Sequence, residues 1–192
     1  MPTIATKSDF TGELFIPNTV SVPDIHGGTQ PNNVDKLTLA IERYEKLLLV
    51  NALGVVQYEA LMAALEEPSG IWYDMINGKT YGDKVFPGLK PIIAYNVYVN
   101  FLKHETVQFT TVGLEQSRAK NSYDIDPRGQ LAEFWNTFVN MYQGVPHCGC
   151  FFFWGTTVTG TFVTLEQYIK DFPDDYNSGF FNYYRIQNHL GI

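Results

Sequence analysis

From Gly88 to Lys103 the chain carries Ile92, Ile93, Tyr95, Val97, Tyr98, Phe101 and Leu102, and wound as a helix these side chains spread almost all the way round its axis. Beyond Lys90 in the first turn, only Asn96, Asn100 and Lys103 offer a polar outlet. Such a helix cannot lie on a wet surface, because each exposed methylene forgoes about 0.8 kcal/mol of burial. It must belong to the core or be covered by a neighbouring chain. Pro91 falls in its first turn, where the missing N–H has no intrahelical partner to lose.

The segments around it supply partners for that core. Asn33 can cap a helix over about residues 34–53, with Asp35 in the first turn and Leu37, Ile41, Tyr44 and Leu48 on one face. Glu42 and Lys46 form a correctly oriented i, i+4 pair on another face, and Gly54 ends the helix. A second helix over about residues 55–65, with Tyr58, Leu61, Met62 and Leu65 in register, completes a helical hairpin before Pro68-Ser69-Gly70 breaks it. Trp72, Met75 and Ile76 can then pack under a turn at Asn77-Gly78. Asp126-Pro127 opens a further helix, to about Gln143, whose buried stripe is Leu131, Phe134, Trp135, Phe138, Met141 and Tyr142.

Two regions break the helical texture. Residues 104–126 form an insertion that reads either as a functional loop or as a β-hairpin with Val107, Phe109 and Thr111 on one side. Beyond Pro146 the run Phe151-Phe152-Phe153-Trp154, followed by Thr and Val up to Thr164, predicts a β-hairpin appended to the helical domain. A short helix over about residues 165–170 and the aromatic tail Phe180-Phe181-Asn182-Tyr183-Tyr184 follow. The fold expected is therefore mainly α: four or five bundled helices with a small β-hairpin element, the C-terminal region 147–192 carrying the β texture.

Residues 1–33 differ in composition, with Pro2, Pro17, Pro23, Pro31, the Gly27-Gly28 pair and many Thr and Asn. This composition predicts an extended N-terminal arm ahead of a helical domain over 34–192. Phe10, Leu14, Phe15 and Ile16 are its apolar footholds, expected to seat on a neighbouring chain, the alternative being an arm folded back on its own domain.

Charge and chemistry exclude several functions. A net charge of −7 is the wrong sign for a surface that grips nucleic acid, though it suits the wall of a channel through which DNA slides. The N-terminus lacks the basic-then-apolar pattern of a signal peptide, and no stretch approaches the roughly 20 apolar residues of a membrane span, which predicts assembly in the cytoplasm. In Pro146-His147-Cys148-Gly149-Cys150 the thiols lie too close together for a mutual disulfide or an ordinary structural zinc site, and they read as reduced thiols beside a turn. Asp24-Ile25-His26-Gly27-Gly28 reads as turn chemistry. There is no nucleophile elbow, phosphate loop or dinucleotide fingerprint, so no enzyme, cofactor or metal is expected.

The order of motifs carries a resemblance. Glu42-Arg43-Tyr44-Glu45-Lys46-Leu47-Leu48-Leu49, Ala52-Leu53-Gly54 and Tyr58 are followed by Trp72-Tyr73-Asp74-Met75-Ile76-Asn77-Gly78-Lys79-Thr80-Tyr81. Phe86-Pro87-Gly88-Leu89-Lys90 then opens the helix bearing Ala94-Tyr95 and Tyr98. This succession resembles the head-to-tail connector proteins (adaptor or head completion proteins) of tailed bacteriophages, over roughly the middle half of the chain. Phe172-Pro173-Asp174-Asp175-Tyr176 and Asn188-His189-Leu190-Gly191-Ile192 echo it near the end. An overall likeness without residue-level matches is to neck proteins of gut Bacteroides phages, the crAss-like group among them.

The resemblance implies a virion structural protein of the neck, between capsid and tail. It would form a ring of about twelve copies beneath the portal, bind portal and tail or further neck proteins, and extend the DNA ejection channel without sequence-specific DNA contacts. The interface residues nominated on this view are Phe10, Phe15 and Ile16 of the arm, Phe109 and Arg118 of the insertion, and Phe180, Phe181, Tyr183 and Tyr184 of the tail. The competing expectation is a soluble phage or bacterial binding module with an aromatic C-terminal surface, which would require exposed Trp72, Trp135 or Trp154 for stacking.

Overall fold

A computed structural model describes residues 2–16, 33–66, 69–105, 107–110, 113–116, 127–144, 156–157, 160–176 and 181–183. The helices are α1 (Asn33–Leu53), α2 (Val55–Ala63), α3 (Gly70–Asn77), α4 (Leu89–Glu105), α5 (Pro127–Tyr142) and α6 (Leu165–Asp171). The strands are β1 (Lys79–Tyr81), β2 (Lys84–Phe86), β3 (Val107–Thr110), β4 (Gly113–Gln116), β5 (Thr156–Thr157) and β6 (Gly160–Phe162).

The all-round apolar helix is the axis of the molecule. Every residue from Ile92 to Val99 of α4 is buried, and α1, α3 and α5 all pack against it. Its polar outlets are absorbed locally. Asn96 is 5% exposed and donates to the Tyr44 carbonyl of α1 at 3.3 Å, while Asn100 donates to the Asn96 carbonyl one turn back at 2.8 Å. A buried amide without such partners would cost about 1–3 kcal/mol.

Mainly helical architecture with a small β component matches the expectation, with two differences. The aromatic segment expected to pack under a turn winds into a helix of its own, α3, ending at the Asn77-Gly78 turn. The C-terminal β-hairpin is not a free appendage. Strands β5 and β6 join β1 and β2 in one mixed sheet of order β1-β2-β6-β5, in which β2 and β6 run parallel with Lys84 opposite Thr161 and Val85 opposite Phe162. The Val163 N–H extends the ladder to the Val85 carbonyl at 3.0 Å. In the insertion, the hairpin alternative holds: β3 and β4 pair antiparallel, with Phe109 opposite Leu114.

Of the two N-terminal readings, the arm folded back on its own domain fits residues 2–16 and the seat on a neighbouring chain is corrected, while residues 17–32 lie outside the described residues. Residues 2–16 do not stand away from the body; they form a strap of two short 3₁₀ turns, Lys7–Asp9 and Gly12–Leu14, laid on α1 and α4. Phe10 at 4% and Ile16 at 2% exposure belong to this chain's own core, as do Ile4, Ala5 and Leu14. The reason is a carboxylate. Glu45 of α1, itself 2% exposed, accepts the Ile4 N–H at 2.8 Å and the Ala5 N–H at 2.9 Å, so the extended backbone has somewhere to place donors that it cannot satisfy itself.

Candidate assembly surfaces

Two of the motifs that carry the connector resemblance, Asn77-Gly78 and Gly88-Leu89-Lys90, meet at one point of the fold. Gly78 ends α3 and Gly88 precedes α4, both at positive φ, and their backbones lie directly against each other. A Cβ on Gly78 would stand 2.5 Å from the Phe86 carbonyl oxygen, and one on Gly88 would stand 2.6 Å from the Ile76 carbonyl oxygen. Only glycine fits either site. The Asn-Gly and Gly-Leu-Lys motifs are thus two halves of one close backbone crossing that sets the angle between α3, the β1–β2 hairpin and α4.

Of the C-terminal echo, the Phe172–Tyr176 part packs beside α3 and β1, and Asn188–Ile192 lie outside the described residues. Tyr176 donates its hydroxyl to the Ile71 carbonyl at 2.9 Å, and its ring meets Trp72 at 5.9 Å. Phe172 meets Tyr81 at 5.1 Å, and Phe86 stacks on Tyr168 at 4.1 Å. A polar clasp closes the edge. The Asp171 carboxylate accepts from Lys84 Nζ at 2.6 Å, Gln167 Nε2 at 2.7 Å and the Tyr81 hydroxyl at 2.9 Å. Partial burial alone would raise the Asp171 pKa, but these three donors outweigh it and hold the carboxyl below its ordinary range. Tyr81, desolvated and donating to that anion, is pushed well above its ordinary value.

A second aromatic cluster anchors the C-terminal segment. Tyr183 is half-buried among Trp135, Phe138 and Tyr142, with ring centroids at 5.7, 5.2 and 5.0 Å. The Gln143 side-chain amide pairs with its backbone as a strand would, accepting the Tyr183 N–H at 2.7 Å and donating to its carbonyl at 2.6 Å. The Phe181 N–H donates to the Asn51 carbonyl at 3.0 Å, while the Phe181 side chain remains 54% exposed.

Of the nominated interface residues, Phe15 at 61% exposure and Phe181 are on the surface. Phe10 and Ile16 are core, and Tyr183 is half core. For Phe109 only the backbone position in β3 is described, and Arg118, Phe180 and Tyr184 lie outside the described residues. So do His26, His147, Cys148, Cys150 and Trp154. Trp72 and Trp135, whose exposure the binding-module expectation needs, are partly buried against the core. Among the described residues no group of three His, Cys, Asp or Glu side chains could hold a metal ion. No described helix is long and apolar enough to cross a membrane.

The nominations missed a surface on α1 and α2. Leu39, Leu47, Val55 and Val56 are 66, 54, 57 and 80% exposed, which leaves apolar side chains of α1 and α2 in water. Nothing in the sequence flagged them, because the inner stripe of Leu37, Ile41, Tyr44 and Leu48 already accounted for the apolar period of α1. Two carboxylates were missed as well. Glu45 was legible as an acid set beside that stripe, whereas Asp171 becomes distinctive only when β1, β2 and α6 meet.

Comparison with family models, with curated proteins and with solved structures found no match to this chain.

Proposed function

We propose that this chain is a structural subunit of the neck of a tailed-phage virion, a head-to-tail connector that joins portal to tail in a ring of about twelve copies and prolongs the DNA channel. The observation that carries this reading is the Gly78–Gly88 crossing. The motifs behind the resemblance follow one another as α1, α2, α3, a short hairpin and α4, and those on either side of the hairpin meet at the Gly78–Gly88 crossing.

The surface is in keeping with it. The apolar side chains of α1 and α2 would be covered by a neighbour, and the net charge of −7 would keep phosphate from adhering to a channel wall. The binding-module alternative draws less support, since Trp72 and Trp135 pack on Tyr176 and Tyr183, and Trp154 lies outside the described residues.

Quantitative mass spectrometry of DNA-filled particles tests the reading by counting this chain against the portal protein. A ratio near one to one is expected, and absence from particles overturns it.

A further inference from the structure

We propose that helices α1 and α2 carry the two halves of a contact between copies: the exposed stripe of α1, apolar and cationic, packs on the exposed stripe of α2, apolar and acidic, of the next copy. This rests on the ring reading for the existence of a next copy. It deepens that reading by naming the surfaces that meet.

The α1 half is one face of the helix. Leu39, Arg43, Lys46 and Leu47 follow at steps of four, three and one, which sets them within about 100° of arc. All four are exposed, Leu39 at 66% and Leu47 at 54%. The carboxylates of this helix lie elsewhere: Glu45 is buried beneath the strap, and Asp35 and Glu42 fall to one flank. The face is thus cationic in a chain whose net charge is −7.

The α2 half has the opposite sign. Val55, Val56, Glu59, Ala60 and Ala63 are exposed, on the side of α2 away from the buried Tyr58 and Leu61, and Glu66 is exposed just past the helix end. Val55–Ala63 contains no lysine or arginine. Its alanines leave room for larger side chains such as Leu39 and Leu47 to approach the helix closely.

The charges on these two stripes are unanswered within the chain. Lys79, Lys84 and Lys170 reach Asp74, Asp171 and Glu166 at 2.7, 2.6 and 2.6 Å, whereas Arg43, Lys46, Glu59 and Glu66 make no ion pair among the described residues. Complementarity selects the pairing. Two α1 faces set against each other would oppose cation to cation, and two α2 faces carboxylate to carboxylate. An α1 face on an α2 face sets Arg43 and Lys46 against Glu59 and Glu66 while covering Leu39, Leu47, Val55 and Val56. One chain holds both members of that pairing, so the occupant is a second copy. Because the halves are different patches, a copy bound through one keeps the other open for a further copy, and successive contacts close into a ring. Each exposed ion pair is weak alone, and repetition round the ring adds them.

The test uses two capped variants of the full chain, Leu47→Asp on α1 and Val56→Asp on α2, with circular dichroism verifying that each keeps the wild-type helical content. Sedimentation velocity and native mass spectrometry follow assembly, one variant being isotopically heavy. Wild type should pass from monomer to species larger than a pair, and each variant alone should stay monomeric. Their mixture should stop at a pair of one light and one heavy copy, since only the intact α2 of one and the intact α1 of the other remain. A second set checks the charges: Arg43→Glu should abolish assembly, and Glu59→Lys added to it should restore it. Capped variants that assemble as wild type does, a mixture that stays monomeric or grows beyond a pair, or a charge-exchanged chain that stays monomeric overturns the contact and leaves the ring to other surfaces. A wild-type chain that remains monomeric up to about 1 mM also overturns it, while the particle count against the portal decides the ring reading separately.

Discussion

Two carboxylates fasten outlying parts of this chain, Glu45 the N-terminal strap to α1 and Asp171 helix α6 to the β1–β2 hairpin, and they do so by opposite electrostatics. Glu45 lies inside, receives two neutral backbone N–H groups, and is raised above its ordinary value of 4.5 because burial outweighs those bonds. Asp171 lies at a partly exposed edge, receives a lysine ammonium, a phenol and an amide, and is held below its ordinary value of 3.8. What separates them is the charge of the donors and the access of water. A neutral cradle in a dry site fastens backbone but tolerates the anion poorly, whereas a cationic cradle at a wet edge favours the anion yet adds little net stability.

The largest effect is expected from Glu45→Ala, which leaves two buried N–H groups without an acceptor and should destabilise the fold by about 3 kcal/mol in urea titrations. Hydrogen exchange should show the Ile4 and Ala5 amides losing protection ahead of α4. A strap that stays protected in this variant would mean that apolar contacts, not the carboxylate, hold it. Glu45→Gln keeps one acceptor and should cost less than Glu45→Ala.

Asp171→Asn should cost about 1 kcal/mol, and stability measured in 1 M salt should differ less between variant and wild type, because the Lys84 pair is partly screened. An unchanged gap in high salt would assign the clasp to its neutral donors. Smaller still, Lys170→Ala removes an exposed i, i+4 pair with Glu166 at 2.6 Å and should change stability by no more than about 0.5 kcal/mol.

The pH dependence of the two gaps should run in opposite directions. A raised native pKa means the folded state binds more protons than the unfolded one, so the contribution of Glu45 falls as pH climbs from 4.5 through its raised value. The gap between wild type and Glu45→Gln should narrow over that window. A lowered native pKa gives the reverse: the contribution of Asp171 is full above 3.8 and disappears as pH falls through the depressed value, so the Asp171→Asn gap should close on acidification. Gaps that move together with pH would show that one of the two sites has been assigned the wrong balance of burial and donors.

The helices were legible because their information is local. Leu37, Ile41, Tyr44 and Leu48 fix the inner face of α1 by period, Gly54 separates α1 from α2, and Pro127 sits at the first residue of α5. Strands β1 and β2 were not legible, since three residues each are too few to display a period, and the parallel partner of β2 lies some 75 residues along the chain. The strap was legible only as part of residues 1–33, whose Pro, Thr and Asn content read as an extended arm. Its seat was not, because nothing in Phe10 or Ile16 states which body they bury against.

The sequence by itself determined that α4 must be covered nearly all round, since a helix without a polar side has no stable place in water, and the structure shows that α1, α3 and α5 of this chain supply the cover. The sequence also determined where the helices stop and the absence of the familiar catalytic motifs. Only the tertiary structure decided that Gly78 and Gly88 share one crossing, that β6 completes a sheet begun by β2, and that Glu45 and Asp171 serve as fasteners. Each of these depends on groups far apart in the chain meeting at hydrogen-bond or van der Waals distance, and such meetings are fixed by how the elements pack and leave no periodic trace in the order of residues.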